Sequence, residues 1–419
     1  MAKIVLSTLG SLGDLHPKIA IGIELKNRGH EVVINTWEGY REKIETIGLA
    51  FHQMRPDVDQ NDRELLADLM HPSKGPEKVI RELVLPYLDE MYNDLVAACD
   101  GAALMVTGEL IYVAKSVAEK TKIKWVSTSL APLSMFSSDD PNVYPQAEWL
   151  EVLRPLPSAF HRGLFSIMRS TISDWYTPYK VFRRNLGLDE GHDPIFSGKF
   201  SSLLHLALFS RALATPQPDW WQPTLQTGFC FYDGQSDTGQ MPDGLDDFLS
   251  SGDPPIVFTL GSAAVLDPRD FFDESVKAAE LLKQRAVVLY GNENPEPSGL
   301  TDDIVGFPYA PFSRVFPKAA CVVHQGGVGT TGQVLRAGVP HLIMPYSHDQ
   351  PDNAARCRRI GVARKIGRDR YNAQTASAEL AKLLTDQRYK QKAAEAAEIV
   401  NSEHGTATAC DAIESALIK

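Results

Sequence analysis

The chain has 419 residues, 43% hydrophobic and 23% charged, with a formal net charge of −11. That length exceeds what one core supports, so two domains are expected, and the composition is that of an ordinary soluble globular protein. The acidic balance excludes nucleic acid as a general partner, and it obliges any phosphate-bearing ligand to find a local positive field.

Residues 3–7 (KIVLS) form a short apolar run closed by Gly10 and Gly13, a first strand. Residues 17–28 carry Ile19, Ala20, Ile23 and Leu25 at helical spacing, and Pro17 suits a first helical turn. Gly29 stops that helix and 31–36 (EVVINT) reads as the next strand, so a parallel doubly wound sheet begins here. Residues 103–107 and 125–128 are further buried strands, each set off by a helical pattern. The stretch YDGQSDTGQMPDG, near 232–254, has glycine, aspartate and proline and no apolar period. It reads as a linker and divides the chain into domains at 1–235 and 236–400. The second half repeats the scheme, with strands at 255–260, 286–290, 304–305, 321–323 and 341–344. Helices fall near 270–284, 331–337, 351–360 and 374–385, and the last segment, 389–419, is helical and partly amphipathic. Two open α/β sheets imply a cleft between them.

The five cysteines are scattered and form no CxxC or Cys/His cluster, so neither a zinc site nor a disulfide framework is expected. Dispersed thiols fit a reducing compartment. The N-terminal residues lack the basic and long apolar regions of a signal peptide, and no run approaches transmembrane length, so a cytoplasmic location is expected.

The most informative stretch is HQGGVGTTGQVLRAGVPHLIMPYSHDQPDN, residues 324–353. A strand ends at His324, and Gly326, Gly327, Val328 and Gly329 feed a helix opened by Thr330 and Thr331. Such a turn is an anion site, because free N–H groups and the helix dipole point at a phosphate while the glycines let backbone approach it. His324 can add a side-chain donor. Gly261 and Ser262, at the end of the strand at 255–260, can meet the same pyrophosphate. A plain strand-to-loop turn is the alternative there.

The ordered string His324, Gly326-Gly327, Gly329-Thr330-Thr331, Ala337-Gly338-Val339-Pro340, Pro345, Asp349-Gln350 and Asn353-Ala354 resembles the donor signature of the UDP-glycosyltransferase superfamily. The resemblance implies an α/β GT-B fold, two Rossmann-like doubly wound domains facing a deep cleft. It further implies that the final helix, 401–419, packs back on the N-terminal domain. Gly13 faces that cleft and is grouped with the donor-binding residues. Tyr309, Ala310, Pro311 and Phe312 stand where the family places its base-binding loop, and Tyr309 or Phe312 could stack on the base or be packed core. Asp349 and Gln350 would hold the sugar hydroxyls, a carboxylate accepting and an amide both accepting and donating. No metal or other cofactor is required, since N–H groups and His324 can carry the charge of the leaving diphosphate. The one DxD, Asp57-Val58-Asp59, is read as a surface loop.

Gly13-Asp14-Leu15-His16-Pro17 places an aspartate where many members carry a histidine. This resembles the GSxGDxxP branch of sterol, glycopeptide-antibiotic and rhamnolipid-type transferases, in which the aspartate is the proposed base. Asp14 is therefore the expected base. His16 could act instead with Asp14 orienting it, or Asp14 could cap the helix starting at Pro17.

Large apolar groups crowd 135–200, and Met135, Phe136, Tyr144, Phe165 and Trp175 are the acceptor-binding candidates, with helix-packing core as the alternative. Within 154–184, six lysines and arginines face Asp174 alone, a stretch that could touch an anionic membrane surface, although a solvated helix face is the plainer reading. The expected activity is inverting transfer of a hexose from UDP-glucose or dTDP-rhamnose to a small apolar acceptor such as a flavonoid, sterol, lipid or other natural product. A monomer or weak homodimer is expected. A nucleotide-sugar epimerase or a non-catalytic nucleotide-sugar binder is the alternative. A dinucleotide oxidoreductase is disfavoured, because GSLGD replaces G-x-G-x-x-G and Asn35-Thr36-Trp37 stand where a ribose-binding acid belongs.

Overall fold

The computed structural model describes residues 1–59, 62–191, 193–234 and 241–418. The expected boundary at 235/236 lies outside the described residues. Among the described residues thirteen strands form two wholly parallel sheets. The first contains β1 (Lys3–Ser7), β2 (Glu31–Thr36), β3 (Ala50–Gln53), β4 (Leu104–Thr107), β5 (Lys124–Ser129), β6 (Leu204–Ala207) and β7 (Thr224–Gln226), in the order β3-β2-β1-β4-β5-β6-β7. The second contains β8 (Ile256–Thr259), β9 (Ala286–Leu289), β10 (Ile304–Phe307), β11 (Cys321–His324), β12 (His341–Ile343) and β13 (Ala363–Lys365), in the order β10-β9-β8-β11-β12-β13. The expected fold class is the one found. β4, β8 and β9 are buried end to end and β1 from Ile4 onward, as their apolar runs require of a sheet covered on both faces.

Strand order reverses between β1 and β4 in one sheet and between β8 and β11 in the other. Loops leaving the two strands at such a reversal diverge to opposite faces and open a crevice. Both crevices are used below.

The helix Leu12–Asn27 starts five residues before the expected Pro17. Ser11 is its N-cap in a capping box: Gly13 N–H donates to Ser11 Oγ (3.2 Å), and Ser11 N–H donates to Asp14 Oδ2 (2.9 Å). Such a cap contributes about 1 kcal/mol and starts the helix ahead of Pro17, which lies inside it without a bond to the Gly13 carbonyl. Asp14 is thus part of the cap without being the N-cap of a helix at Pro17.

The two halves share apolar packing. Met135, Phe209, Trp220 and Phe229 from the first half cluster with Leu335, Ala354, Cys357 and Ala393 from the second. Met135 is 4% exposed there and does not line the cavity described below. The helix Gly405–Ile418 lies on Leu12–Asn27, with Arg28 Nη1 donating to Asp411 (2.6 Å) and Glu414 (2.7 Å). Gly405 begins it because a Cβ there would stand 2.3 Å from the Phe229 carbonyl oxygen. All five cysteines are free and buried. Among the described residues no helix is long and apolar enough to cross a membrane.

Candidate active site

A cavity of about 1550 Å³ lies between the two sheets and is lined from both halves. Its first wall comes from the β1/β4 reversal. Gly13, Asp14 and His16 follow β1, and Glu109 follows β4. Gly10 has φ +127°, and a Cβ on it would stand 2.2 Å from Asp14 Oδ2, so glycine is what lets the carboxylate fold under the turn. Desolvation, and after it the charge of Glu109, push the Asp14 carboxyl up to about 7; the Ser11 N–H pulls it down, and Asp349 adds a further push. Glu109 is fixed by Leu130 N–H (3.1 Å), by the Ser134 hydroxyl and by Lys199 Nζ (3.3 Å). The opposite happens to His16, whose imidazole is lowered to about 4 by burial and then by Lys43, against a pull from Asp233. It is neutral at pH 7, its ring 5.2 Å from that of Tyr232.

The opposite wall comes from the β8/β11 reversal. Gly261 and Ser262 follow β8, and Gln325 follows β11. Gly261 N–H donates to Gln325 Oε1 (2.8 Å), and a Cβ on Gly261 would stand 2.0 Å from Gln325 Nε2. The glycine and the amide are therefore one unit tying the two loops. The helix Val328–Ala337 opens at Gly327, and its first internal bond runs from Thr331 N–H to the Gly327 carbonyl (2.9 Å). Val328 N–H is taken by Asp349 Oδ2 (3.0 Å), which leaves the N–H groups of Gly329 and Thr330 to the cavity that both residues line.

Asp349 also accepts from Asn353 Nδ2 (2.7 Å), whose amide donates to the Gly326 carbonyl as well (2.9 Å). Burial raises Asp349 to about 6, against the pull of Asn353 and of the Val328 N–H. Gln350 Oε1 accepts from Tyr346 N–H (2.8 Å) and Ser347 N–H (3.4 Å), so its amide offers a ligand the donor side only, not both as expected. Tyr309, Pro311 and Phe312 reach the cavity. The ring of Phe312 stacks on that of Phe316 at 4.5 Å, whereas Tyr309 is 45% exposed. Phe136, Tyr144, Phe165 and Trp175 line the far end, where the Phe136 ring meets Phe165 (6.3 Å) and Phe196 (4.8 Å) under Lys199 Nζ.

A family model for the glycosyltransferase family 28 N-terminal domain matches residues 4–129, and one for the erythromycin biosynthesis protein CIII-like C-terminal domain matches 277–413. The chain is 32% identical to the O-mycaminosyltylonolide 6-deoxyallosyltransferase of Streptomyces fradiae, across 98% of this chain and 97% of that protein. The chain belongs to the UDP-glycosyltransferase superfamily. It is also 28% identical to a sterol 3-beta-glucosyltransferase of Cryptococcus neoformans var. neoformans, over 98% of this chain but 27% of that longer protein. The solved structure of the glycosyltransferase VinC in complex with dTDP superposes with a TM-score of 0.69, at 20% identity and 100% coverage of both chains, and has the same GT-B fold.

In this glycosyltransferase His324 does not play the part expected of it. Gly326 N–H donates to His324 Nδ1 (3.0 Å), which puts the imidazole proton on Nε2, donating to His341 Nδ1 (2.8 Å). Burial, then His341, holds His324 well below its usual range, and burial takes His341 down to about 3, so both rings are neutral. His324 is fully buried and braces the turn from behind. Gly326, at φ +93°, and Ala310, fully buried, also stand behind the cavity wall. Among the cavity residues that escaped the sequence reading are Glu109 and Gln325. The signal for both was positional, since each follows a strand at a sheet's order reversal, and strand order is not written in a single sequence.

Proposed function

We propose that this glycosyltransferase moves a 6-deoxyhexose from a dTDP-sugar, with inversion, to a hydroxyl of an apolar polycyclic or macrocyclic natural product. The observation that carries the reading is that Asp14, the Gly327–Thr330 turn, Asp349 and the aromatic end all border one cavity large enough for a nucleotide sugar and a sizeable acceptor. The deoxysugar is favoured over glucose by the 6-deoxyallosyl transfer of the Streptomyces relative and by the dTDP in the VinC structure.

The acceptor oxygen attacks the anomeric carbon from the face opposite the diphosphate. Its proton passes to Asp14, and the bond to the diphosphate oxygen breaks. A carboxylate tuned to about 7 suits this task at neutral pH, and a His16 imidazole lowered to about 4 is a much weaker base. The negative charge gathering on the diphosphate is met by the Gly329 and Thr330 N–H groups and the helix dipole, with no metal ion in the step. Tyr309, exposed at the cavity, is the platform for the base. Aromatic groups at the far end take the acceptor.

The test is a transfer assay read by mass spectrometry. dTDP-rhamnose, other dTDP-6-deoxyhexoses and UDP-glucose are each offered with macrolactones, aromatic polyketides, flavonoids and sterols. A one-sugar mass gain from a dTDP donor that vanishes in Asp14→Asn supports the reading. Product from UDP-glucose alone overturns the donor assignment. Epimerised nucleotide sugar without acceptor overturns the reaction.

A further inference from the structure

The segment 140–151 belongs to the first half of the molecule, yet it is fastened to the second. Arg356 Nη2 donates to Asn142 Oδ1 (2.9 Å), and Arg356 Nη1 pairs with Asp140. Arg356 Nε donates to Asp352 Oδ2 (2.7 Å), while Val143 N–H donates to the other oxygen of the same carboxylate (2.9 Å). Arg356 is 3% exposed and Asp352 fully buried. Further along, Glu148 pairs with Lys365, and Glu151 lies 3.5 Å from Arg358 and 3.7 Å from Arg359.

The two ends of this fastening lead to different substrates. Pro141, Asn142, Val143 and Tyr144 line the cavity from the first half, Tyr144 being one of the acceptor candidates. Arg356 and Asp352 stand on the helix Gln350–Ile360, whose first residue, Gln350, and N-cap, Asp349, line the sugar end. A guanidinium presents five N–H donors in a rigid fork, and three separate partners across two domains satisfy it here. A buried ion-pair network of this kind is weak evidence for stability, because apolar packing of the same volume does as well, but it fixes one arrangement of the parts it joins.

We infer that Arg356 is a positioning residue that holds the acceptor wall in register with the sugar-binding helix, so that the anomeric carbon meets the acceptor hydroxyl rather than water. The inference rests on the reading of the cavity given above. The donor's contacts come from the second half, so donor binding survives loss of the clamp. The acceptor's placement does not, and a shift of about 1 Å is enough to lower a transfer rate ~100-fold. Water then takes the vacated position: its oxygen bonds to the anomeric carbon, the bond to the diphosphate breaks, its proton goes to Asp14, and free sugar is released.

The test uses the full chain. Arg356→Met alone leaves the buried Asp352 without its cation and can misfold, so it is joined by Arg356→Lys and by the charge-balanced double variant Asp352→Asn, Arg356→Met, in which Asp140 keeps its pair with Arg154 (2.7 Å). Product, free sugar and dTDP affinity by calorimetry are measured for each variant that melts cooperatively. The expected result is an acceptor KM raised about 10-fold or more and a product-to-free-sugar ratio lowered as much, with dTDP affinity within about twofold of wild type. Arg356→Lys should recover only part of the ratio. An unchanged ratio, or dTDP affinity lost in step with transfer, overturns the inference. Hydrogen exchange separates it from the reading it rests on. Backbone amides in 140–151 should exchange faster in the dTDP-bound variants whatever the acceptor is, and unchanged exchange overturns the clamp. Wild-type protein that makes no product counts against the proposed function instead.

Discussion

The two ends of the cavity are built in different ways. Most of the donor end is a short piece of chain folded on itself, with Gly261 and Tyr309 beside it: Gln325, the Gly327–Thr330 turn, Asp349 and Gln350 lie within 26 residues, and bonds such as Val328 to Asp349 and Asn353 to Gly326 close it locally. The acceptor end draws on Glu109, Phe136, Phe165 and Lys199, and on a segment tied to the other half through Arg356. A locally closed site is robust and carries a signature. A site assembled from distant pieces depends on the relative placement of two sheets, and residue types alone do not announce it. Substitutions at the donor end should therefore act on one step, and those at the acceptor end on coupling between steps.

Asp14, at the junction of the two ends, should show the largest effect. Asp14→Asn is expected to lower transfer about 1000-fold while leaving dTDP affinity unchanged, because a positioned base supplies factors of this order. Stability should move the other way. A carboxyl raised to about 7 in the folded state, from about 4 unfolded, contributes stability that is full below pH 4 and lost as pH rises to 7. At pH 8 the variant should melt no lower than wild type, and its advantage should shrink as pH falls through that window. Wild-type activity in the variant would sink the assignment of the base.

Gly10→Ala comes next. Its Cβ meets Asp14 Oδ2 and its φ disfavours any side chain, so transfer should fall about 100-fold by displacement of the base. Retained activity would mean Asp14 need not sit under the turn. A pair of substitutions then sharpens the contrast between the ends. Tyr309→Ala should raise donor KM about 10-fold with acceptor KM unchanged, and Trp175→Ala should do the reverse, each loss being roughly that of one aromatic contact. If both constants move together in either variant, the ends are not separable.

Wild-type kcat/KM should rise with pH through about 7, because only ionised Asp14 accepts a proton. Glu109→Gln removes a neighbouring negative charge and should move that limb to lower pH; a limb that stays put would discount the coupling. The smallest effect expected is that of metal removal. Chelation with EDTA should leave the rate within about twofold, and a large loss restored by Mg²⁺ would show that the helix N–H groups do not carry the diphosphate charge alone.

The contrast also accounts for what could be read without coordinates. Residues 324–353 yielded the family, the fold and the donor turn, because strand, glycine turn and helix are consecutive and each is set by local propensity and backbone freedom. The same locality hid the role of His324. Its partner His341 lies across a strand pair, so a ring that looks like a ligand in one dimension is a brace in three. Pro17 suggested a helix start, whereas the capping box at Ser11 set it five residues earlier. β3, β6, β7 and β13 are three or four residues long and weakly patterned, and they are strands because a neighbour offers hydrogen bonds.

By itself, then, the sequence determined two parallel-sheet halves, the phosphate-facing helix start and the carboxylate in the first glycine loop, since each depends on contacts within about thirty residues. Tertiary structure decided the rest. It placed Met135 in the shared core and Phe136 in the cavity, engaged one face of Phe312 and left Tyr309 open. It brought Glu109 near enough to raise Asp14, and it bound the segment 140–151 to the helix Gln350–Ile360 through Arg356. These outcomes depend on strand order and on how two domains face each other, which are properties of packing between residues far apart in the chain.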